Sequence, residues 1–348
     1  MKSLLLTPTF LPQLTGNAVT VDRISRLLSR GGVATRIVNL SETNERTVVK
    51  WAREFKPDLI HAFHAHKGGR AGLALRESTA IPLITTMTGT DLYVDLEADE
   101  KKNEILRILA QSSRITVFNT QARSTLLKHG IDRRKISIVH QSVLFSETME
   151  IDYRAHLNIN GEAAVFLLLG GIRKIKDFSI ALPALDRARR RFPDIHLIIA
   201  GPVIEREEFE TIRAWYAQKP WVTYAGEVPR SHIPALLKSI DVLLNTSSSE
   251  SEANAVLEAM NLGRIVIARD IPGNASLLKA TGILFSNEED LQRSIMRVLE
   301  RRNEWRTIGE QARRHAARAF SPAREQAGYL AAYEKCMAST SSRTVGIA

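Results

Sequence analysis

Two carboxylates eight positions apart, Glu250 and Glu258, bracket a stretch with nothing basic in it, ESEANAVLEAMNL over residues 250–262. Thr246, Ser247, Ser248 and Ser249 offer hydroxyls for a helix entry, the run from Asn254 to Leu262 is good helix, and Gly263 supplies the stop. Glu258 is therefore expected on a helix and Glu250 just ahead of it. The first turn of a helix leaves N–H groups without an intrahelical acceptor, and the helix dipole makes that end favourable for phosphate. A phosphate held there has hydroxyl-binding carboxylates on either side, which is the chemistry of gripping a sugar nucleotide. On spacing alone, two solvated acids on a surface helix would read the same way.

A second segment sharpens the reading. In LLLGGIRKIKDF, residues 167–178, an apolar strand ends in Gly170 and Gly171 and runs directly into Arg173, Lys174 and Lys176. Ligands of open parallel sheets collect outside the carboxyl ends of the strands, so this basic loop is expected to face the same space as a helix start opened by a later strand. Arginine presents a planar fork and lysine a point charge, both suited to phosphate oxygens. A diphosphate fits between the two segments.

The elements that must position these residues follow from size and patterning. At 348 residues the chain exceeds a comfortable single core, and two domains are expected. Apolar content of 44% and charged content of 25% are those of a globular protein. Short apolar runs alternate with helical patterns throughout, the mark of parallel α/β architecture. Strands are predicted at 2–7, 34–39, 58–63, 82–87, 114–118 and 136–139, and again at 164–170, 195–200, 222–225, 241–245, 264–268 and 282–285. The weakly periodic stretch 143–161 reads as a linker, giving domains at 1–150 and 151–318 and a C-terminal helix at 319–340 packing back on the first domain. The terminal STSSRTVGIA is expected to be frayed. Such an arrangement is two Rossmann-like doubly wound domains facing a central cleft. No GxGxxG follows either first strand, which argues against a dinucleotide dehydrogenase. In the loop after the first strand, PTFLPQLTGNAVT, Gly16 allows close backbone approach to a ligand and Asn17 can hydrogen-bond it.

Composition narrows the partners. No apolar run is long enough to span a bilayer, AAVFLLLGGI at 163–172 being among the longest, and MKSLLLTPTFLPQL lacks a signal-peptide h-region and cleavage site. Cys336 is the sole cysteine, so no intrachain disulfide can form and a reducing cytoplasmic setting is expected. The net charge of +10 is dispersed, with one dense cluster, RARRR at 187–191, expected on the outer face of a helix whose Ile180, Leu182, Leu185 and Ala188 turn inward. Nucleic acid is not an expected partner. VDRISRLLSR at 21–30 carries Arg23, Arg26 and Arg30 among apolar positions, a pattern compatible with peripheral contact to an anionic membrane surface or an acidic acceptor. HAFHAHKGG at 61–69 groups His61, His64 and His66 at spacings that suit neither one helical nor one strand face, with no adjoining acid in sequence. A metal site is not expected there; the readings are plain structure or a strand-end loop lining the cleft, with one histidine touching acceptor or donor.

Taken together, these residues resemble retaining GT-B glycosyltransferases of family four over nearly the full length. Glu250 and Glu258 match the paired-acid signature, Arg173 and Lys176 the basic diphosphate pair, and Gly16 the N-terminal glycine loop. The runs TGNAVT, TGTDL, GIRKIKD and ARDIPGN look most like the glycosyltransferase 1 domain-containing protein 1 group, and bacterial selenosugar synthases share a similar TGTDLY and QS pattern. The resemblance implies transfer of a hexosyl group from a nucleotide diphosphate sugar, UDP-linked by expectation, to an unidentified acceptor, with no metal and no further cofactor. It implies that Glu258 takes the ribose hydroxyls, Glu250 the hydroxyls of the transferred sugar, and Arg173 with Lys176 the diphosphate. Backbone groups at Ala253, Asn254 and Ala255 would add donors to the leaving diphosphate, and Gly226, Glu227 and Val228 would hold the base. The chain departs from the pattern in three places. Ser251 stands where many relatives carry glycine and is followed by a third carboxylate, Glu252. In MTGTD, Thr88 stands at a histidine's place, with Asp91 nearby, and the Arg173-to-Lys176 spacing is shorter than in many relatives. Three alternatives stay open: a selenosugar- or thiosugar-type synthase, a glycoside hydrolase using the two glutamates as acid and base, and a nucleotide-sugar-binding protein without turnover.

Overall fold

The computed structural model describes residues 1–12, 15–145, 148–279 and 281–344, with side chains described up to Ala338. The chain divides into two compact units: Met1–Ser142 with Phe320–Ala348, and the contiguous Val143–Ala319.

Unit 1 is a parallel sheet of β1 (Lys2–Thr7), β2 (Ala34–Asn39), β3 (Leu59–Phe63), β4 (Leu83–Thr86), β5 (Arg114–Val117) and β6 (Ile136–Ile138), in the order β2-β1-β3-β4-β5-β6. Unit 2 is a second parallel sheet of β7 (Ala164–Leu169), β8 (Ile195–Ala200), β9 (Val222–Gly226), β10 (Val242–Asn245), β11 (Ile265–Arg269) and β12 (Ile283–Phe285), in the order β12-β11-β10-β7-β8-β9. Every one of these strands begins and ends within one residue of its predicted bounds. The reason is burial on both faces: helices cover each parallel sheet, so a strand is a near-continuous apolar run, as in β3 and β8, where every residue is buried.

Strand order reverses once in each sheet, and that is where doubly wound folds place their ligands. In unit 2 the reversal lies between β7 and β10, paired as Val242 with Phe166 and Leu244 with Leu168. In unit 1 it lies between β1 and β3, paired as Leu5 with His61. The loops leaving β7 and β10 are therefore neighbours, as are those leaving β1 and β3.

Unit 1 is closed by the helix Pro322–Thr344, whose Tyr329 and Tyr333 are fully buried against Leu5, Val21, Ile24, Phe63 and Ile84. The run expected to be frayed thus continues this helix through Thr344, and residues 345–348 lie outside the described part. Where the chain leaves and re-enters unit 1 it is pinned by charge. Glu325 accepts from Ser142 N (2.9 Å) and from Arg23 Nε (2.9 Å), and Arg23 Nη2 donates to Gln141 Oε1 (2.6 Å). This corrects the reading of 21–30 as a basic surface helix. Arg23 is 4% exposed and Arg26 is paired with Asp22 along the helix Gly16–Arg30, most of whose residues are in the core. The cluster at 187–191 likewise serves structure. Ala181, Leu182, Ala184, Leu185 and Ala188 are buried, while Arg187 pairs with Glu288, Arg191 with Glu300, and Arg189 lies over the Trp221 ring. No helix among the described residues is long and apolar enough to cross a membrane.

Candidate functional site

At the unit 2 switch point the two segments singled out by chemistry are stitched together. After β7 the chain makes a tight turn in which Lys176 N donates to Arg173 O (2.9 Å) and Asp177 takes a left-handed conformation, φ 44°. The loop after β8 braces this turn. Ile172 N donates to Pro202 O (2.8 Å), and the Glu205 carboxylate accepts from Lys174 N (2.8 Å). Gly201 is required for that closeness, since a Cβ there would stand 2.0 Å from Gly170 O. From the other side, the loop after β10 donates into the turn: Thr246 Oγ1 to Lys176 O (2.7 Å) and Ser248 N to Ile175 O (2.9 Å). Lys176 Nζ then forms an ion pair with Glu250, both side chains more than four-fifths buried. Arg269, from the end of β11, pairs with Asp177.

These contacts correct one expectation. Thr246 and Ser248 do not cap the helix; their hydroxyls are taken up by the basic turn. The helix runs from Asn254 to Asn261, and its N-cap is Ala253, which has no side-chain oxygen to offer. An N-terminus with no side-chain cap therefore opens beside the Lys176–Glu250 pair, where the helix dipole favours an anion. Behind it, Gly273 allows the chain to pass directly under Glu250: a Cβ would lie 2.2 Å from Glu250 O and 2.6 Å from Ser251 O. Asn274, fully buried, donates to Asn245 Oδ1 and Arg269 O, both at 3.0 Å, tying the ends of β10 and β11.

Glu258 lies on the helix as expected, 3% exposed, and its Oε1 is 2.5 Å from Arg230 Nη2. Arg173 is half-buried and has no ion pair among the described residues. Ser251, Glu252 and Ala253 are buried, so the third carboxylate is turned away from solvent. Asn254 and Ala255 begin the helix and are half-buried. After β9, Gly226 O accepts from Gly201 N (2.7 Å), Glu227 is exposed and Val228 is buried. Sequence reasoning missed Arg230, Arg269 and Asp177. Each acts through a partner far along the chain, and no local spacing signals such a pairing.

Unit 1 gathers His64, Thr88 and Asp91 in a different manner. His64 opens a single π-helical turn after β3 in a left-handed conformation, φ 70°, strained for a residue other than glycine. Its Nδ1 accepts from Lys67 N (3.2 Å), while Nε2 is 3.2 Å from Thr90 Oγ1 and 3.6 Å from Asp95 Oδ2. Burial pushes the His64 imidazole below the usual histidine range, with the Asp91 charge pulling the other way. Asp91 is fully buried and takes backbone N–H groups from two loops: Ala65 at 2.7 Å, Thr88 at 2.9 Å and Gly89 at 2.8 Å. Thr88 itself is half-buried. Acids do approach this histidine cluster, contrary to the sequence reading, since His66 Nε2 is 3.0 Å from Glu104, which comes from a distant helix. His61 points into the core instead, between Tyr333 Oη (2.8 Å) and Thr86 Oγ1 (2.6 Å), and burial lowers its pKa to about 3. Among the described residues no three His, Cys, Asp or Glu side chains are grouped to hold a metal.

In the loop after β1, Gly16 begins the helix Gly16–Arg30, whose cap is Thr15, accepting from Ala18 N (3.1 Å). Asn17 Nδ2 donates to Thr7 Oγ1 (2.9 Å), and its buried Oδ1 has no hydrogen-bond partner among the described residues. Residues 13 and 14 of that loop lie outside the described part.

Known proteins share this fold. Residues 18–143 match the family model "Glycosyltransferase Family 4", and residues 149–315 match "Glycosyl transferases group 1". The glycosyltransferase 1 domain-containing protein 1 of Xenopus tropicalis is 27% identical over 314 residues, covering 86% of this chain and 89% of that protein. A D-inositol 3-phosphate glycosyltransferase of Nocardia farcinica is 25% identical over 304 residues, covering 80% and 67%. Among solved structures, sucrose-phosphate synthase from Thermosynechococcus elongatus superposes with a TM-score of 0.82 at 18% identity, covering 97% of this chain and 100% of that one. Anabaena HepE in complex with UDP-glucose superposes with a TM-score of 0.76 at 18% identity, covering 98% and 100%. The two parallel six-stranded sheets and the two consecutive family matches place this chain among the GT-B glycosyltransferases, with a Glycosyltransferase Family 4 domain followed by a Glycosyl transferases group 1 domain.

Proposed function

We propose that the protein transfers a hexosyl group from a nucleotide diphosphate sugar, UDP-linked, to an acceptor nucleophile with retention of anomeric configuration and without a required metal. The observation that carries this reading is the joining of the Arg173–Asp177 turn to the segment 246–258 at the unit 2 switch point. As the glycosidic bond breaks, negative charge grows on the departing diphosphate. Arg173, Lys176 and the uncapped helix start then meet that charge with positions fixed in advance, an effect worth ~3 kcal/mol per partner, or about a hundredfold in rate. In this reading Glu250 orients the hydroxyls of the transferred sugar, Glu258 takes the ribose hydroxyls, and backbone groups at Gly226–Val228 receive the base. Neither glutamate acts as a nucleophile; the departing phosphate helps deprotonate the acceptor on the same face. The hydrolase alternative leaves the basic turn without a purpose. UDP-glucose bound to Anabaena HepE, a protein of the same fold, supports the choice of donor.

A second reading, donor binding without turnover, is favoured by Asp91 and Thr88, since that carboxylate is occupied by backbone N–H groups in a region where relatives carry a histidine. The test is a thermal-shift panel of nucleotide sugars and nucleotides on wild type, Arg173→Ala and Glu258→Ala. Stabilisation by a nucleotide sugar that is lost in both variants is expected; equal shifts in all three proteins would remove the site. Turnover of the stabilising donor should fall at least tenfold in Glu250→Ala, whereas a wild type that binds donor without transferring or hydrolysing it would establish the second reading.

A further inference from the structure

We infer that Arg230 is a positioning residue for nucleotide recognition: it orients the buried Glu258 carboxylate so that one oxygen remains for the ribose diol. The inference rests on Glu258 taking the ribose hydroxyls. Three observations carry it. Glu258 is nearly sealed from water, with a side-chain exposure of 4%, and a carboxylate in that position needs a cationic, hydrogen-bonding partner. Arg230 supplies it from the turn after β9, on the side of the loop that would receive the base, with Nη2 2.5 Å from Oε1. Arg230 is itself held in place, its guanidinium lying 5.8 Å from the centre of the Phe145 ring, while the next residue, Ser231, accepts from Met149 N at 3.1 Å. Phe145 and Met149 thus brace the turn that carries the arginine.

The chemistry follows from the geometry of the fork. A guanidinium engages one carboxylate oxygen in plane and fixes the direction in which the other presents its lone pairs. A vicinal diol donating to that second oxygen is recognised by orientation, whereas a 2′-deoxyribose loses one donor. Removing Arg230 leaves Glu258 without its partner and free to turn, and the diol then has no preformed acceptor. Lysine, a point charge without the planar fork, restores the charge but only part of the orientation.

The experiment compares UDP with 2′-deoxy-UDP by calorimetry on wild type, Arg230→Ala, Arg230→Gln, Arg230→Lys, Glu258→Gln and the double variant Arg230→Ala/Glu258→Gln, with thermal unfolding of each protein to verify folding. Wild type is expected to prefer UDP. Arg230→Ala should weaken UDP about tenfold while barely changing 2′-deoxy-UDP, so the preference collapses as it does in Glu258→Gln. The double variant should lose no more than either single one, and lysine should restore part of the preference. If Arg230→Ala does not fold, the same comparison is read from Arg230→Gln. A folded arginine variant that keeps the wild-type preference, or that weakens both ligands equally, would overturn this inference while leaving the donor-site reading intact. Absence of any nucleotide binding, or of any preference, in wild type would overturn the role assigned to Glu258 and this inference with it.

Discussion

The strand-end loops of the two units solve opposite problems. In unit 2 they bring charges together and leave them exchangeable: Lys176, from the turn after β7, with Glu250, and Arg269, from the end of β11, with Asp177. In unit 1 the central acid is spent on the backbone. Asp91 holds the N–H groups of Ala65, Thr88 and Gly89, so its carboxylate fixes where the β3 and β4 loops run. Side-chain ion pairs can trade a partner for a ligand phosphate or hydroxyl, while a carboxylate saturated by main-chain donors cannot do so without unfolding its loops. A region built from exchangeable pairs is suited to gripping and releasing a charged ligand. A region built on a buried acid with backbone donors is suited to presenting a fixed surface.

Breaking the unit 2 side of this contrast should have the largest effect. Lys176→Ala removes a partner of the proposed diphosphate and the counter-charge of Glu250 together, and turnover of a nucleotide sugar, followed by release of the nucleotide, is expected to fall about a hundredfold, with some loss of unfolding temperature because Glu250 is left buried without its partner. Retained turnover would show that the lysine meets no developing charge. The mirror experiment in unit 1 is Asp91→Asn, which presents an amide to backbone N–H groups. It should cost about 2–3 kcal/mol of stability, seen as a drop of ~6 °C in unfolding temperature, while thermal stabilisation by nucleotide persists. Nucleotide response lost together with stability would erase the distinction between the two regions.

The smallest expected effect sharpens the unit 1 side through pH. His61 is fully buried with its pKa lowered to about 3, so the folded state stays unprotonated while the unfolded chain binds a proton below roughly pH 6.5. Its contribution to stability is therefore complete above the unfolded pKa and is lost as pH falls towards 3, amounting to about 2 kcal/mol by pH 5. Urea unfolding at pH 7.5 and 5.0 should show this loss, and His61→Gln should reduce it. An unchanged pH dependence in that variant would locate the acid sensitivity elsewhere.

What the sequence revealed follows the same divide between local and distant causes. The strands were legible because burial on both faces writes them as apolar runs of the right length, and the placement of Glu250 and Glu258 about a helix start and of Arg173 and Lys176 after a strand end was legible because both are local patterns. The error at Thr246 to Ser249 has a plain cause. Hydroxyls before a helix read as caps, but here the carbonyls of Ile175 and Lys176, some seventy residues earlier, claim two of those residues. Arg23 read as part of a basic surface because its partner, Glu325, lies at the opposite end of the chain. Arg230 was invisible for the same reason: nothing near GEVP announces that its successor will meet an acid on the helix Asn254–Asn261.

The helix Pro322–Thr344 has a consequence for how the molecule is made. His61 and Ser3 meet Tyr333, and Arg23 and Ser142 meet Glu325, so these four buried groups of unit 1 gain those partners only after all of unit 2 has been synthesised. Unit 2, one unbroken stretch from Val143 to Ala319, has no such wait. During synthesis the amino-terminal unit therefore cannot complete these particular contacts until its last helix has left the ribosome, whereas the later unit carries all of its own chain in one piece.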